Sequence, residues 1–192
     1  MLKIGILGEE KGIAAIVIKE LLKKNAVKFF FAEVKSAEEI NESFMEAVLK
    51  KSKILILDIN VYEDYENLMA LRFDILLFLT NEKKNQVTLS ALLKEKNYLI
   101  VDSDSYSVKK IIATEGSKVI TCGFNTRACV SVSSVEMKLT SQIQCCLQRT
   151  IETIDGREVE PREIKYAGKY YEKNVVNIVA ALVVAIITGV NV

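Results

Sequence analysis

Near the head of the chain, Gly8-Glu9-Glu10-Lys11-Gly12-Ile13-Ala14 has glycines placed as in a turn that could cradle phosphate. A phosphate loop uses glycines to bring backbone N–H groups to the anion, a lysine for its charge, and a Ser or Thr hydroxyl for magnesium. Lys11 brings the charge, but no Ser or Thr follows it, and Ile13 and Ala14 have no side-chain oxygen to offer a metal. Glu9 and Glu10 set negative charge beside the start of the following helix, where a phosphate would sit and be repelled. The turn keeps the architecture of a phosphate site and lacks its chemistry.

Other residues that could do chemistry are few. Asp58 stands near the end of an apolar run, where a carboxylate can hold a metal or cap the next turn. Thr80 and Asn81 follow another such run and are suited to capping a helix or touching a ligand. Asp102 and Asp104 could bind a cation together with water, or sit at a solvated strand exit. Asn174 and Asn177 lie one helical turn apart, for a ligand on one face or for N-capping and packing. The chain has no histidine, which removes the commonest general base at neutral pH and the commonest zinc ligand. Its four cysteines, Cys122, Cys129, Cys145 and Cys146, show no CxxC spacing and read as reduced thiols in the packing of a cytoplasmic protein.

The elements that must position these residues alternate. Residues 3–7 read as a strand and 13–24 as a helix with Ile13, Ile16, Val17 and Leu21 on its inner stripe. Val27 to Phe31 reads as a buried parallel strand. Ile40, Phe44 and Val48 mark a second helix. Further strands are expected at 53–59, 74–79, 98–101 and 119–122, with helices over 85–96 and 105–114. This is the βαβ rhythm of a three-layer α/β domain with a mostly parallel sheet. After Gly123 the pattern changes to alternation. Ile143, Cys145, Leu147 and Ile151 share one parity, and Asp155-Gly156 signals a hairpin, with Val159 to Tyr166 as the returning strand and Pro161 as an edge or a break. Antiparallel accessory hairpins over about 127–166, within one domain spanning 1–192, are the expectation. Asn174 to Ile187 reads as a core helix; Asn177 interrupts an apolar band barely long enough to span a bilayer.

The totals narrow the class. A chain of 192 residues with half of them apolar can bury a real core. A formal net charge of +1, with dispersed lysine pairs, gives no bias toward nucleic acid or an anionic membrane surface. No basic and apolar leader is evident, so a cytoplasmic location is expected.

The order of these pieces resembles the central, ATP-binding domain of the Mur ligase family, whose relatives include folylpolyglutamate synthase. Ile4-Gly5-Ile6-Leu7-Gly8 is similar to the family's first strand and first loop glycine. The resemblance places Gly12 at the phosphate lysine and Ile13 at the following Thr. It makes Asp58 the acid that helps hold magnesium. Arg72 to Asn81 resembles the segment ending in Thr-Asn, without the Asp-His pair that follows it in the family. Asp102 and Asp104 resemble a later Asn-x-Asp-Asp segment, and Lys118 to Phe124 the strand and glycine before the accessory hairpins. Lys173-Asn174-Val175-Val176-Asn177 is similar to His-Asn-x-x-Asn, which lies near the nucleotide base and ribose. The family's N-terminal and C-terminal domains have no counterpart in these residues.

The resemblance, set beside the losses at the turn, implies a non-catalytic, P-loop-like domain, a pseudoenzyme of interaction or scaffolding type linked to peptidoglycan metabolism. A protein partner or self-association, such as a homodimer, is expected, with no nucleic acid, membrane or cofactor. The alternative is a residual nucleotide-binding subunit of a split ATP-dependent amide ligase. Gly8, Lys11, Gly12, Thr80, Asn81, Lys173, Asn174 and Asn177 would then contact ATP, and Asp58 magnesium. A different small-ligand enzyme using the crevice at the strand ends stands third.

Overall fold

The computed structural model describes residues 1–8, 11–60, 68, 70–79, 92, 97–104, 118–136, 141–168 and 174–192, the side chains of Ala37 and Ser141 apart. β1 (Leu2–Gly8), β2 (Phe29–Val34), β3 (Ile54–Ile59), β4 (Ile75–Leu79), β5 (Tyr98–Asp102) and β6 (Lys118–Gly123) pair in parallel. β7 (Val130–Glu136) joins β6 in parallel, and β8 (Ser141–Leu147) and β11 (Arg162–Gly168) then add antiparallel strands. Among the described residues these form one nine-stranded sheet in the order β11-β8-β7-β6-β5-β4-β1-β3-β2. The alternating residues after Gly123 therefore extend the main sheet instead of forming a layer of their own. Ile143, Cys145 and Leu147 keep their shared parity and join the core beneath it.

The expected returning strand is split. β9 (Ile151–Glu152) and β10 (Glu158–Val159) form a small separate hairpin through the Asp155-Gly156 turn, where Gly156 has φ +81°. Pro161 marks the break, and β11 leaves the hairpin to take the edge beside β8. A proline cannot donate to a ladder, so a change of partner strand at Pro161 costs no backbone hydrogen bond.

Of the helices described in full, two cover one face of the sheet and one covers the other. α1 (Gly12–Lys24) packs against α3 (Val175–Ile187) over the core of Ile4, Ile56, Ile75, Leu77 and Ile100. In α3 every residue except Val176 and Asn177 is buried, as expected for a helix enclosed by the sheet and α1. Among the described residues no helix is long and apolar enough to cross a membrane. α2 (Ala37–Leu49) packs on the opposite face, whose core includes Leu55, Leu57, Leu76 and Phe78. Ser36 starts α2 by accepting the Glu39 N–H at 3.3 Å, while the Glu39 carboxylate accepts the Lys35 N–H at 2.6 Å. That is close to a reciprocal capping box.

Three phases differ from the expectation. In α1 the buried arc is Ala14, Ala15, Val17, Ile18, Leu21 and Leu22, while Ile16 is exposed. The buried positions recur at i, i+3, i+4 and i+7 from Ala14, an arc that leaves Ile16 outside. In α2, Ala47 is buried and Val48 exposed. β2 is an edge strand with half-buried phenylalanines, not a strand buried on both faces. Lys19 and Lys50 cover the rings of Phe31 and Phe30, 3.9 and 4.8 Å from the ring centres. The expected helices at 85–96 and 105–114 lie outside the described residues, apart from Leu92, which is helical and buried.

Candidate functional site

The C-terminal ends of the parallel strands carry the candidate residues, at the edge where open α/β sheets bind ligands. β1 lies between β3 and β4, so its exit turn faces both neighbouring strand ends. Gly8 ends β1 at φ +146°, and a Cβ there would overlap the Leu79 backbone carbonyl. Glycine is required at that point by conformation and by space. Gly12 differs: a Cβ on it would meet nothing within 4 Å, so the turn does not need glycine there.

Lys11 begins α1 and turns inward. Its Nζ lies 2.8 Å from Asp58 Oδ1 and donates a hydrogen bond to the Ile59 carbonyl. Both charged side chains are withdrawn from solvent, at 6% and 7% exposure. The same ammonium thus serves two oxygens, the Asp58 carboxylate by ion pairing and the Ile59 carbonyl by a hydrogen bond. Burial pushes the Lys11 ammonium below the ordinary lysine range, while Asp58, and beyond it Glu33 on β2, pull the other way. Glu33 is the direct neighbour of Asp58 across the β2–β3 ladder.

A second cluster lies at the exits of β5 and β6. The Asp104 N–H donates to Asp102 Oδ1 at 2.8 Å, and the Phe124 N–H donates to Asp104 Oδ2 at 2.7 Å. Gly123, at φ +151°, brings its Cα so close that a Cβ would stand 2.6 Å from Asp104 Oδ2 and 2.7 Å from Ser103 Oγ. The two aspartates thus tie two strand exits together, and burial raises the Asp102 carboxyl above its usual range. Among the described residues no three His, Cys, Asp or Glu side chains gather in a way that could hold a metal.

Asn174 is buried at the N-cap position of α3, but its side chain makes no capping bond, contrary to the capping expected of it. Asn177 is half-buried within α3, one turn on. Thr80, Asn81 and Lys173, together with Glu9 and Glu10, lie outside the described residues. The four cysteines are free thiols, with Cys122 and Cys145 buried. Burial raises Cys122 well above the usual thiol range and takes Cys145 to about 12.

The Lys11–Asp58 pair is the feature that sequence reading missed. Both residues stood out singly, one as a loop lysine and one as a strand-end acid. The parallel β1–β3 pairing, with Ile6 beside Asp58, is what puts the loop after β1 next to that acid.

A mostly parallel sheet whose first strand passes through a glycine turn into a helix, extended by antiparallel strands at its far edge, is here a partial Mur-ligase-like fold. The chain aligns over its full length with MurF from Acinetobacter baumannii, at a TM-score of 0.78 and 11% identity, covering 44% of that protein. It aligns likewise with a UDP-N-acetylmuramoyl-L-alanyl-D-glutamate–2,6-diaminopimelate ligase, at 0.77 and 13%, covering 44%. A folylpolyglutamate synthase from Thermotoga maritima matches at 0.63 and 12%, with 55% of that chain covered. The protein therefore spans about half the length of these structures, and identities this low establish the fold alone. No family profile and no curated protein sequence matches the chain.

Proposed function

We propose that this chain is a non-catalytic Mur-ligase-like domain of the cytoplasm that acts through protein interaction or scaffolding, with a link to cell-wall metabolism suggested by its fold. The observation that carries this reading is the inward pairing of Lys11 with Asp58 and the Ile59 carbonyl. Phosphoryl transfer needs positive charge and a metal around the phosphates. Here the turn's lysine is spent on a buried carboxylate, and the carboxylate that would help hold magnesium already faces an ammonium. Glu33 adds negative charge beside them. ATP and magnesium do not fit the site in this arrangement.

Apolar exposure on α2 supports the interaction half of the reading. Met45, Val48 and Leu49, spaced i, i+3, i+4, share its outer face, and Leu49 is 77% exposed. The deciding experiment is a calorimetric titration of the protein with ATP and magnesium. No binding is expected, and saturable micromolar binding overturns the reading. A residual nucleotide-binding subunit of a split ligase is the second reading, favoured by the retained strand–Gly8–helix turn at the C-terminal edge of the sheet.

A further inference from the structure

We propose that the end of the molecule where β1, β3 and β2 begin is a docking surface for an acidic protein segment that carries an apolar side chain among its carboxylates. This rests on the interaction reading only in taking the partner to be a protein.

Two helix-to-strand turns meet there. α1 passes into β2 through Lys23-Lys24-Asn25-Ala26-Val27-Lys28, and α2 into β3 through Lys50-Lys51-Ser52-Lys53. These ten residues hold six lysines and no acid. The Lys53 N–H donates to the Lys28 carbonyl at 2.8 Å, and the Leu2 N–H donates to the Lys53 carbonyl at 2.9 Å. Both turns and the start of β1 therefore share one edge, and the fold gathers lysine pairs that lie far apart along the sequence. All six lysines are exposed, and among the described residues only Lys50 has a carboxylate partner, Glu46.

The negative ends of the helix dipoles account for Lys23, Lys24 and Lys50, which stand where α1 and α2 end. They do not account for the other three. Lys28 and Lys53 stand side by side, one residue ahead of the Phe29–Ile54 pairing, and like charges on neighbouring strands repel. Lys51 has φ +51°, the left-handed conformation that favours glycine where a helix closes. Three cations are thus held where the isolated chain gains nothing from them, and the carboxylates of a partner would pair them.

The surroundings select the kind of polyanion. Met45, Val48 and Leu49 are exposed on α2 just ahead of Lys50 and Lys51, so apolar surface adjoins the cations. A nucleic-acid strand would leave those side chains unused, and neither turn has an aromatic residue to stack on a base. An anionic bilayer lying along α2 would meet Glu38 and Glu42, exposed residues that continue the row of Met45 and Leu49 at helical spacing. A protein segment brings discrete carboxylates to the lysines and a side chain to Leu49.

The test uses a fluorescent peptide whose glutamates flank a pair of leucines, read by anisotropy. Beside it stand the same peptide with serines for the leucines, a single-stranded oligonucleotide of equal charge, and vesicles of phosphatidylserine and phosphatidylcholine in equal parts. The full chain is expected to bind the leucine peptide most tightly, with an affinity that falls as salt rises. Lys28→Glu/Lys53→Glu is expected to weaken that binding at least about tenfold. Lys35→Glu/Lys165→Glu makes the same charge change at exposed lysines elsewhere and should weaken it less than about threefold. Leu49→Ser should remove the preference for leucine over serine. Equal losses in the two double variants overturn the proposal, as does a preference that survives Leu49→Ser, or tighter binding to the oligonucleotide or the vesicles. If Lys28→Glu/Lys53→Glu does not fold, Lys28→Gln/Lys53→Gln carries the comparison with the same loss expected. No binding of the leucine peptide at low salt overturns the docking surface and leaves the non-catalytic reading in place. ATP–magnesium binding would remove that reading and leave this comparison standing.

Discussion

Gly8 and Leu79 stand side by side at the ends of β1 and β4, and the Leu79 carbonyl fills the space a Cβ on Gly8 would need. With φ at +146°, Gly8 cannot be replaced without moving the centre of the sheet. Gly8→Ala is expected to cost about 3 kcal/mol in urea unfolding. Gly12→Ala, with open space at its Cβ, should be neutral or stabilising by up to about 1 kcal/mol. Equal effects at the two glycines would contradict this account of the turn.

The buried ion pair should respond asymmetrically to mutation. Lys11→Met or Asp58→Leu alone is expected to destabilise by about 3–5 kcal/mol, since each strands a buried partner. Lys11→Met/Asp58→Leu should recover most of that loss, because neither charge then remains to be desolvated. A double-mutant cycle by chemical denaturation measures the coupling. Additive single effects would mean the two side chains do not interact.

The same lysine sets a pH dependence. Its folded-state pKa lies below the value of 10.5 that it has when unfolded. Between those two values the unfolded chain holds a proton that the folded chain has released, so stability contributed by this group rises with pH across that window. Below the folded value the contribution is flat. Subtracting the pH profile of Lys11→Met from that of wild type removes the other lysines and should leave a positive slope on the approach to pH 10.5. A negative difference slope would mean that Asp58 outweighs burial.

How much of this was legible beforehand depends on the kind of contact. β1, β3, β4, β5 and β6 are apolar runs bounded by polar residues, and such runs announce themselves. The place of β2 at the edge is a matter of strand order, which Val27 to Phe31 does not encode locally. The inner face of α1 differs from the expected stripe because Ile16 outranks Ala14 and Ala15 in hydrophobicity, while burial follows the turn of the helix. Lys11 and Asp58 are separated by a helix, a strand and another helix, so their meeting follows from the β1–β3 pairing and from nothing near either residue.

Thiol reactivity should divide the cysteines by depth. Cys122 and Cys145, buried and with raised pKa values, are expected to resist iodoacetamide in the folded protein. Cys129 and Cys146, only half-buried, should label first. Peptide mass spectrometry over a time course gives the order, and early labelling of Cys145 would contradict its place beneath the sheet.

The outer face of α2 gives a prediction about mass in solution. If a second copy docks there, light scattering should report a dimer for wild type and a monomer for Leu49→Glu. The substitution at this exposed site should change stability by no more than about 0.5 kcal/mol. A wild-type monomer at high concentration would leave that face to a different protein.

Enclosure of α3 also bears on how the molecule is made. The helix that completes the face of Ile4, Ile56, Leu77 and Ile100 is encoded after every strand it covers. During synthesis that face stays greasy and open until Val175 to Ile187 has left the ribosome, and a product arrested before Val175 is a client for chaperones and proteases. The strands are made first, and the helix that shelters them follows.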